Sequence, residues 1–178
     1  SDPVGAGFVE SLVRPGGNMT GVFNGGFTPK NLEWFHKIVP DLEKVFAPYN
    51  PNDKSAIFAK GLLEETAAQL GVELVMPEAL SSEEIPAVLA EMPEDIDGIF
   101  LLSDSMILSN VDVFVAFGME NNLPVTAVSR PHVEAGTLMG FGSEFITVGK
   151  QTANVAAQVL NGLDPATLPV EESEYLLF

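Results

Sequence analysis

Apolar residues in this chain fall by turns into short unbroken runs and into four-residue recurrences, so strands and helices follow one another. Residues 22–24 read as a strand. Leu32, Phe35, Ile38 and Val39 then share one helical face over residues 29–39, closed by Pro40-Asp41. Residues 45–47 form the next apolar run. Phe58, Leu62, Thr66 and Leu70 recur every fourth residue, with Gly71 where a helix end favours glycine. Residues 72–76 are a strand, and Ser82 opens a short helix over residues 82–90. Residues 96–102 are the strongest buried-strand run. Ile107, Val111, Phe114, Val115 and Gly118 trace one helix face, and residues 123–128 and 138–141 are further strands. Val148, Thr152, Val155, Ala156, Val159 and Leu160 make the longest amphipathic helix, ended by Gly162, and residues 175–178 are apolar again. Ahead of all this, Phe8, Val9, Leu12 and Val13 predict a short helix stopped by Arg14-Pro15-Gly16-Gly17.

This alternation predicts an α/β fold with an open, mostly parallel sheet flanked by helices, because right-handed crossovers place helices over both faces. Uniformly apolar strands agree, since such a sheet is covered on each side. Ligands of open sheets sit beyond the carboxyl ends of the strands. The positions to inspect are therefore Asn24 and Gly25, Tyr49 and Asn50, Pro77 and Glu78, Ser103 to Ser105, Ser129 and Arg130, and Gly140 to Ser143.

Composition narrows the function. The 178 residues carry 8 Lys and Arg against 25 Asp and Glu, a net charge of −17. That field repels nucleic-acid backbones and anionic lipid, so no nucleic-acid partner is expected. The chain has no cysteine, hence no disulfide, thiolate nucleophile or cysteine-bound metal.

Catalytic chemistry is sparse. His36 falls within a helix, and His132, after Arg130-Pro131, has no serine or cysteine in a nucleophile turn beside it. Histidine and carboxylates do not cluster at metal-ligand spacing, and Gly5-Ala6-Gly7 lacks the strand and third glycine of a dinucleotide fingerprint. No catalytic residue, metal or cofactor is expected.

The segments "DPVGAGFVESLVRPGGNMTGV", "FLLSDSMILSN" and "VEAGTLMGFGSEFITVGKQTANVAAQVLNGLDPATLPVE" resemble ABC-transporter solute-binding proteins of the group that includes aromatic and branched amino-acid binders. The resemblance covers almost the whole chain. It implies one lobe of a type I periplasmic-binding-protein-like fold, apparently the second. Residues 1–21 would be an appendage of the first lobe and the crossing, 22–170 the ligand-binding lobe, and 171–178 a return hinge strand.

It further implies a non-catalytic, extracytoplasmic protein whose inter-lobe cleft takes a small solute, an amino acid or similar zwitterion. Partners would be an ABC permease or a fused sensor, together with the missing first lobe or a second copy of the chain. A ligand-sensing domain of a membrane receptor, a doubly wound hydrolase and a self-pairing assembly module remain alternatives. Matching positions give the candidate ligand-binding residues Asn24, Ser103, Asp104, Ser105, Ser129, Arg130, Phe141 and Gly142. Asp104 would pair with a ligand ammonium or cap the helix behind it. Ser103 and Ser105 would donate to a ligand oxygen or cap the same helix, and Asn24 would bond ligand or pin the crossing. Arg130 would clamp a carboxylate or pair with surplus acid on the rim. Phe141, at a position often tyrosine in the amino-acid binders, would stack on an apolar ligand or fill the core, its flanking glycines permitting close approach.

Overall fold

The computed structural model describes residues 2–178. In chain order the elements are β1 (Val22–Phe23), α1 (Thr28–Ile38), β2 (Lys44–Phe46), α2 (Lys54–Leu70), β3 (Glu73–Val75), a 3-10 turn at Ser82–Glu84, α3 (Ile85–Ala90), β4 (Gly98–Phe100), α4 (Ser105–Ser109), α5 (Val111–Asn121), β5 (Val125–Ala127), α6 (Arg130–Glu134), β6 (Met139–Ser143), α7 (Phe145–Leu160), β7 (Glu171–Glu172) and β8 (Tyr175–Leu177). Gly71 ends α2 in the left-handed conformation, φ 75°, as its position suggested.

Three elements depart from the sequence pattern. No helix forms over residues 8–13. Phe8 and Val9 donate back to the Pro3 carbonyl and Glu10 to that of Pro15, so turns consume the amides a helix would need. The helix expected through Ile107 and Gly118 breaks at Asn110, whose Nδ2 donates to the Met106 carbonyl and to Ser82 Oγ. A side chain that competes for backbone in this way ends one helix and begins another. The short α6 has no counterpart in the apolar pattern; Pro131 stands in its first turn, where a missing N–H costs little.

The chain gathers into two compact units: Gly26–Gly142 with Leu177–Phe178, and the chain up to Gly25 with Ser143–Leu176. In this division α7 clusters with the N-terminal segment. The cause is local. β1 pairs in parallel with β7, and Gln151 of α7 donates to the Glu171 carboxylate and the Glu172 carbonyl, each at 2.9 Å.

The Gly26–Gly142 unit is built on the sheet of order β3-β2-β4-β5-β6-β8. Its pairs from β3 to β6 are parallel. At the edge, Gly140 and Phe178 exchange both backbone hydrogen bonds, the pattern of an antiparallel pair. The alternation of β4 divides the core between two helical layers. Ile99 and Leu101 join Ile85 and Leu89 of α3, Ile107 of α4 and Phe114 of α5. Phe100, on the opposite face, meets Phe35 of α1 edge-on at 6.5 Å between ring centroids. Each such side chain contributes roughly 1.5–3 kcal/mol by leaving water.

One polar tie crosses this core. Asn31 of α1 is fully buried; its Nδ2 donates to the Ala127 carbonyl at 2.9 Å, and its Oδ1 accepts from Thr126 Oγ1 at 3.0 Å. It fixes α1 over β5. Asn31→Leu is expected to lower stability by about 2 kcal/mol, because a buried hydroxyl and a carbonyl lose their partner. Adding Thr126→Val should recover part of that loss, read from denaturant midpoints.

Candidate functional site

β2, β4, β5 and β6 run parallel, so the residues that follow them share one edge of the sheet. Backbone amides there have left the ladder and need acceptors. Two aspartates provide them. Asp104, fully buried after β4, caps α4, its Oδ1 accepting from the amides of Met106 and Ile107 at 3.0 Å each. Its Oδ2 reaches the neighbouring loop and accepts from the Asn50 amide at 2.6 Å. Asp53, after β2, caps α2 through Oδ1, accepting from Ser55 at 2.7 Å and Ala56 at 3.4 Å. Its Oδ2 accepts from the Ser105 amide at 3.2 Å. Each carboxylate caps its own helix and holds the other's loop.

Asp104 thus takes the capping use that its position offered. Both its oxygens face backbone amides and none of its surface is open. Ser105 is exposed and Ser103 half-buried, so the hydroxyls beside Asp104 are what this strand end presents.

The end of β5 carries Ser129 and Arg130. Ser129 is buried, and its Oγ lies 2.9 Å from Nδ1 of His132, one turn into α6. The short helix α6 brings the two together. The pair is no nucleophile–base–orienter set. Ser129 is enclosed, and among the described residues no carboxylate bonds the ring. Burial lowers the His132 pKa from its ordinary 6.5. Arg130 is exposed, and its guanidinium stands 5.1 Å from the centre of the Phe178 ring. Its partner in the structure is an aromatic face.

Phe141 and Gly142 lie within β6, both buried. A Cβ on Gly142 would lie 2.0 Å from the Val128 carbonyl oxygen. The close approach that demands glycine is thus the protein's own β5–α6 backbone. Asn24 belongs to the other unit. Its Oδ1 accepts from Ser143 Oγ at 2.8 Å and Ser173 Oγ at 3.3 Å, and those two hydroxyls are 2.8 Å apart. These bonds tie the turn after β1 to the end of β6 and to the residue after β7.

Sequence reasoning missed Asp53, although an aspartate directly before Lys54-Ser55 is a helix-start signal. It also did not connect Tyr49 to Glu78, whose Oε1 accepts the phenol proton at 2.9 Å. Burial first, and Glu78 second, raise the Tyr49 pKa. A concavity of about 810 Å³ lies at the opposite, amino-terminal edge of β2 and β3. There Lys44 Nζ pairs with Glu73 at 2.8 Å and Asp95 at 3.1 Å, and Asp97 accepts from the amides of Glu43 and Lys44. Among the described residues no group of three or more potential ligands is placed to hold a metal.

Comparison with known proteins agrees with this architecture. The chain is 27% identical over 180 residues to a tyrosine-binding protein of Clostridioides difficile, covering 99% of this chain and 52% of that protein. A conserved domain protein from Vibrio cholerae superposes with a TM-score of 0.89 at 29% identity, covering 99% of this chain and 60% of that one. An ABC domain from Streptococcus pneumonia in complex with L-Trp gives a TM-score of 0.83 at 25% identity, covering 97% and 60%. The chain thus spans about half the length of the curated relative and 60% of the solved chains. The family model for ABC transporter substrate binding proteins matches residues 1–178. The family is one of binding proteins rather than enzymes, and this chain belongs to it.

Proposed function

We propose that this chain is the greater part of one lobe, with a portion of the other, of an extracytoplasmic protein that captures an aromatic amino acid. In this reading Gly26–Gly142 is the binding lobe and its carboxyl-edge rim is one wall of the ligand cleft. The remainder of the protein supplies the other wall. The observation that carries the reading is the cross-tied pair of loops after β2 and β4, which sets Ser103 and Ser105 on a rigid rim without a nucleophile–base set behind them. Relatives named for tyrosine and solved with L-Trp support the ligand class.

The residues divide the work by their surroundings. Ser103 and Ser105 donate to ligand oxygens. Arg130, steadied on Phe178, takes the ligand carboxylate, the guanidinium fork being suited to two parallel hydrogen bonds. Phe141 backs the apolar side chain of the ligand. Asp104 and Asp53 hold the rim in place, Ser129 with His132 fixes the β5–α6 corner, and Gly142 lets β6 close on that corner. Delivery to a membrane permease is the use that fits the family. In the unit containing α7, the exposed Phe8, Val13, Met19, Phe145 and Ile146 are apolar side chains we assign to contact with the rest of the two-lobed protein.

Isothermal titration of the full-length protein with L-tyrosine, L-tryptophan, L-phenylalanine and L-leucine checks this. Heat is expected with the aromatic members, and Arg130→Ala should weaken binding about tenfold. No heat and no thermal shift with any amino acid would overturn the ligand class. Asp53→Ser keeps a cap for α2 but is too short to reach Ser105. It is expected to cost about 1 kcal/mol of stability and to weaken binding several-fold, whereas Asp53→Ala should cost about 1 kcal/mol more through the lost cap.

Acid should loosen the β5–α6 corner. With the folded pKa of His132 held below 6.5, the unfolded chain binds more protons as pH falls through 6.5. The His132 contribution is present in full above that value and lost towards the lowered one. His132→Gln should flatten the melting temperature between pH 7 and pH 5.

A further inference from the structure

We propose that the groove between α3 and α5 is a docking surface for a cationic amphipathic helix of a partner protein. The groove has a volume of about 490 Å³ and an apolar floor of Pro86, Leu89, Val113, Ala116 and Phe117. The sequence of α5, VDVFVAFGMEN, is apolar around most of its circumference, which is the pattern of a helix covered on all sides. One side is covered: Phe114, Val115 and Gly118 face the core. The other carries Val113, Ala116 and Glu120 at i, i+3 and i+7, with the half-buried Phe117 between them also reaching the core, and Val113 is 39% exposed. That spacing is the one by which helices pack on one another.

Charge decides what covers it. Between Lys60 and Arg130 the chain has no lysine, arginine or histidine, against thirteen carboxylates. Asp112 and Glu120 stand at the two ends of the groove, eight residues and so about 12 Å apart along α5. Two cations seven or eight residues apart on a partner helix match that separation while its apolar face fills the floor between them. A second copy of this chain is a poor occupant, since the same stretch of its sequence offers no cation and the net charge of −17 on each copy repels. Anionic lipid is repelled for the same reason. The walls are fixed in advance: Asn110 at the start of α5 donates to Ser82 Oγ at 2.9 Å, tying α5 to the turn that leads into α3. Preformed walls reduce the ordering cost of binding. The groove is separate from the ligand rim, so this inference stands or falls apart from the ligand class.

The test is fluorescence anisotropy of the full-length protein with a labelled leucine–lysine helix whose leucines recur at i, i+3, i+4 and i+7. The comparison peptide has the same composition in scrambled order. Ala116→Arg fills the groove floor with a cation. Ala68→Arg makes the same change of charge at an exposed site on α2. The expected result is unchanged binding for Ala68→Arg, a loss of about tenfold for Ala116→Arg, and binding of the scrambled peptide weaker by about tenfold. Asp112→Asn combined with Glu120→Gln, a near-isosteric pair on the surface, should weaken binding several-fold and reduce its salt dependence. Equal losses for the two arginine variants would mean unspecific attraction to an acidic protein and overturn the proposal. So would equal affinity for both peptides, or no binding of either.

Discussion

A parallel strand that stops leaves backbone N–H groups pointing at nothing, and the loops after β2 and β4 meet that problem side by side. The two aspartates that answer it do so reciprocally. Asp53 and Asp104 accept from six backbone amides between them, those of Asn50, Ser55, Ala56, Ser105, Met106 and Ile107. Neutral acceptors of the same size would fill fewer of these sites, since an amide side chain presents one oxygen and a hydroxyl a single atom. Because each carboxylate serves both loops, neither loop moves without the other. The edge of the sheet at which ligands are captured in this class of fold is thus set by main-chain bookkeeping before any ligand is considered.

The fold was legible because it rests on patterns that need no tertiary information. Residues 96–102 could hardly be other than a covered strand, and Gly71 ended α2 where the recurrence of Phe58, Leu62, Thr66 and Leu70 ran out. The failures have a common physical origin. Phe8, Val9, Leu12 and Val13 have helical spacing, yet the amides around them are taken by Pro3 and Pro15, and a face so short cannot outbid those turns. Asn110 looked like an ordinary residue within a helix until Ser82, 28 positions earlier in the chain, gave its side chain a partner.

The site was legible as a set of positions and less so as a set of roles. Strand-end logic pointed to Ser103, Asp104, Ser105, Ser129, Arg130, Phe141 and Gly142, and the parallel sheet brings their strands together. What each does depends on neighbours that no local pattern contains. Asp104 reads equally as a ligand anchor or a cap until its burial is known. Gly142 reads as room for a ligand until the Val128 carbonyl is seen to occupy that room. Asp53 went unremarked, because a cap beside a lysine and a serine is common and its second oxygen acts on a residue 52 positions away.

The same roles constrain how recognition of an amino acid must be shared. With Asp104 enclosed and Asp53 engaged with backbone amides, the strand ends of β4 and β5 present hydroxyls and a guanidinium, groups that suit a carboxylate and neutral polar atoms. A ligand ammonium needs an acceptor of opposite charge, and a buried cation without one is strongly disfavoured. The chain carries ample negative charge, but Asp53 after β2 and Asp104 after β4 are spent on structure. On the proposed reading, then, the ammonium is met from the remainder of the protein while this lobe takes the carboxylate and the side chain. Such a division ties ligand capture to closure, because a zwitterion held from one side only has half of its charge uncompensated.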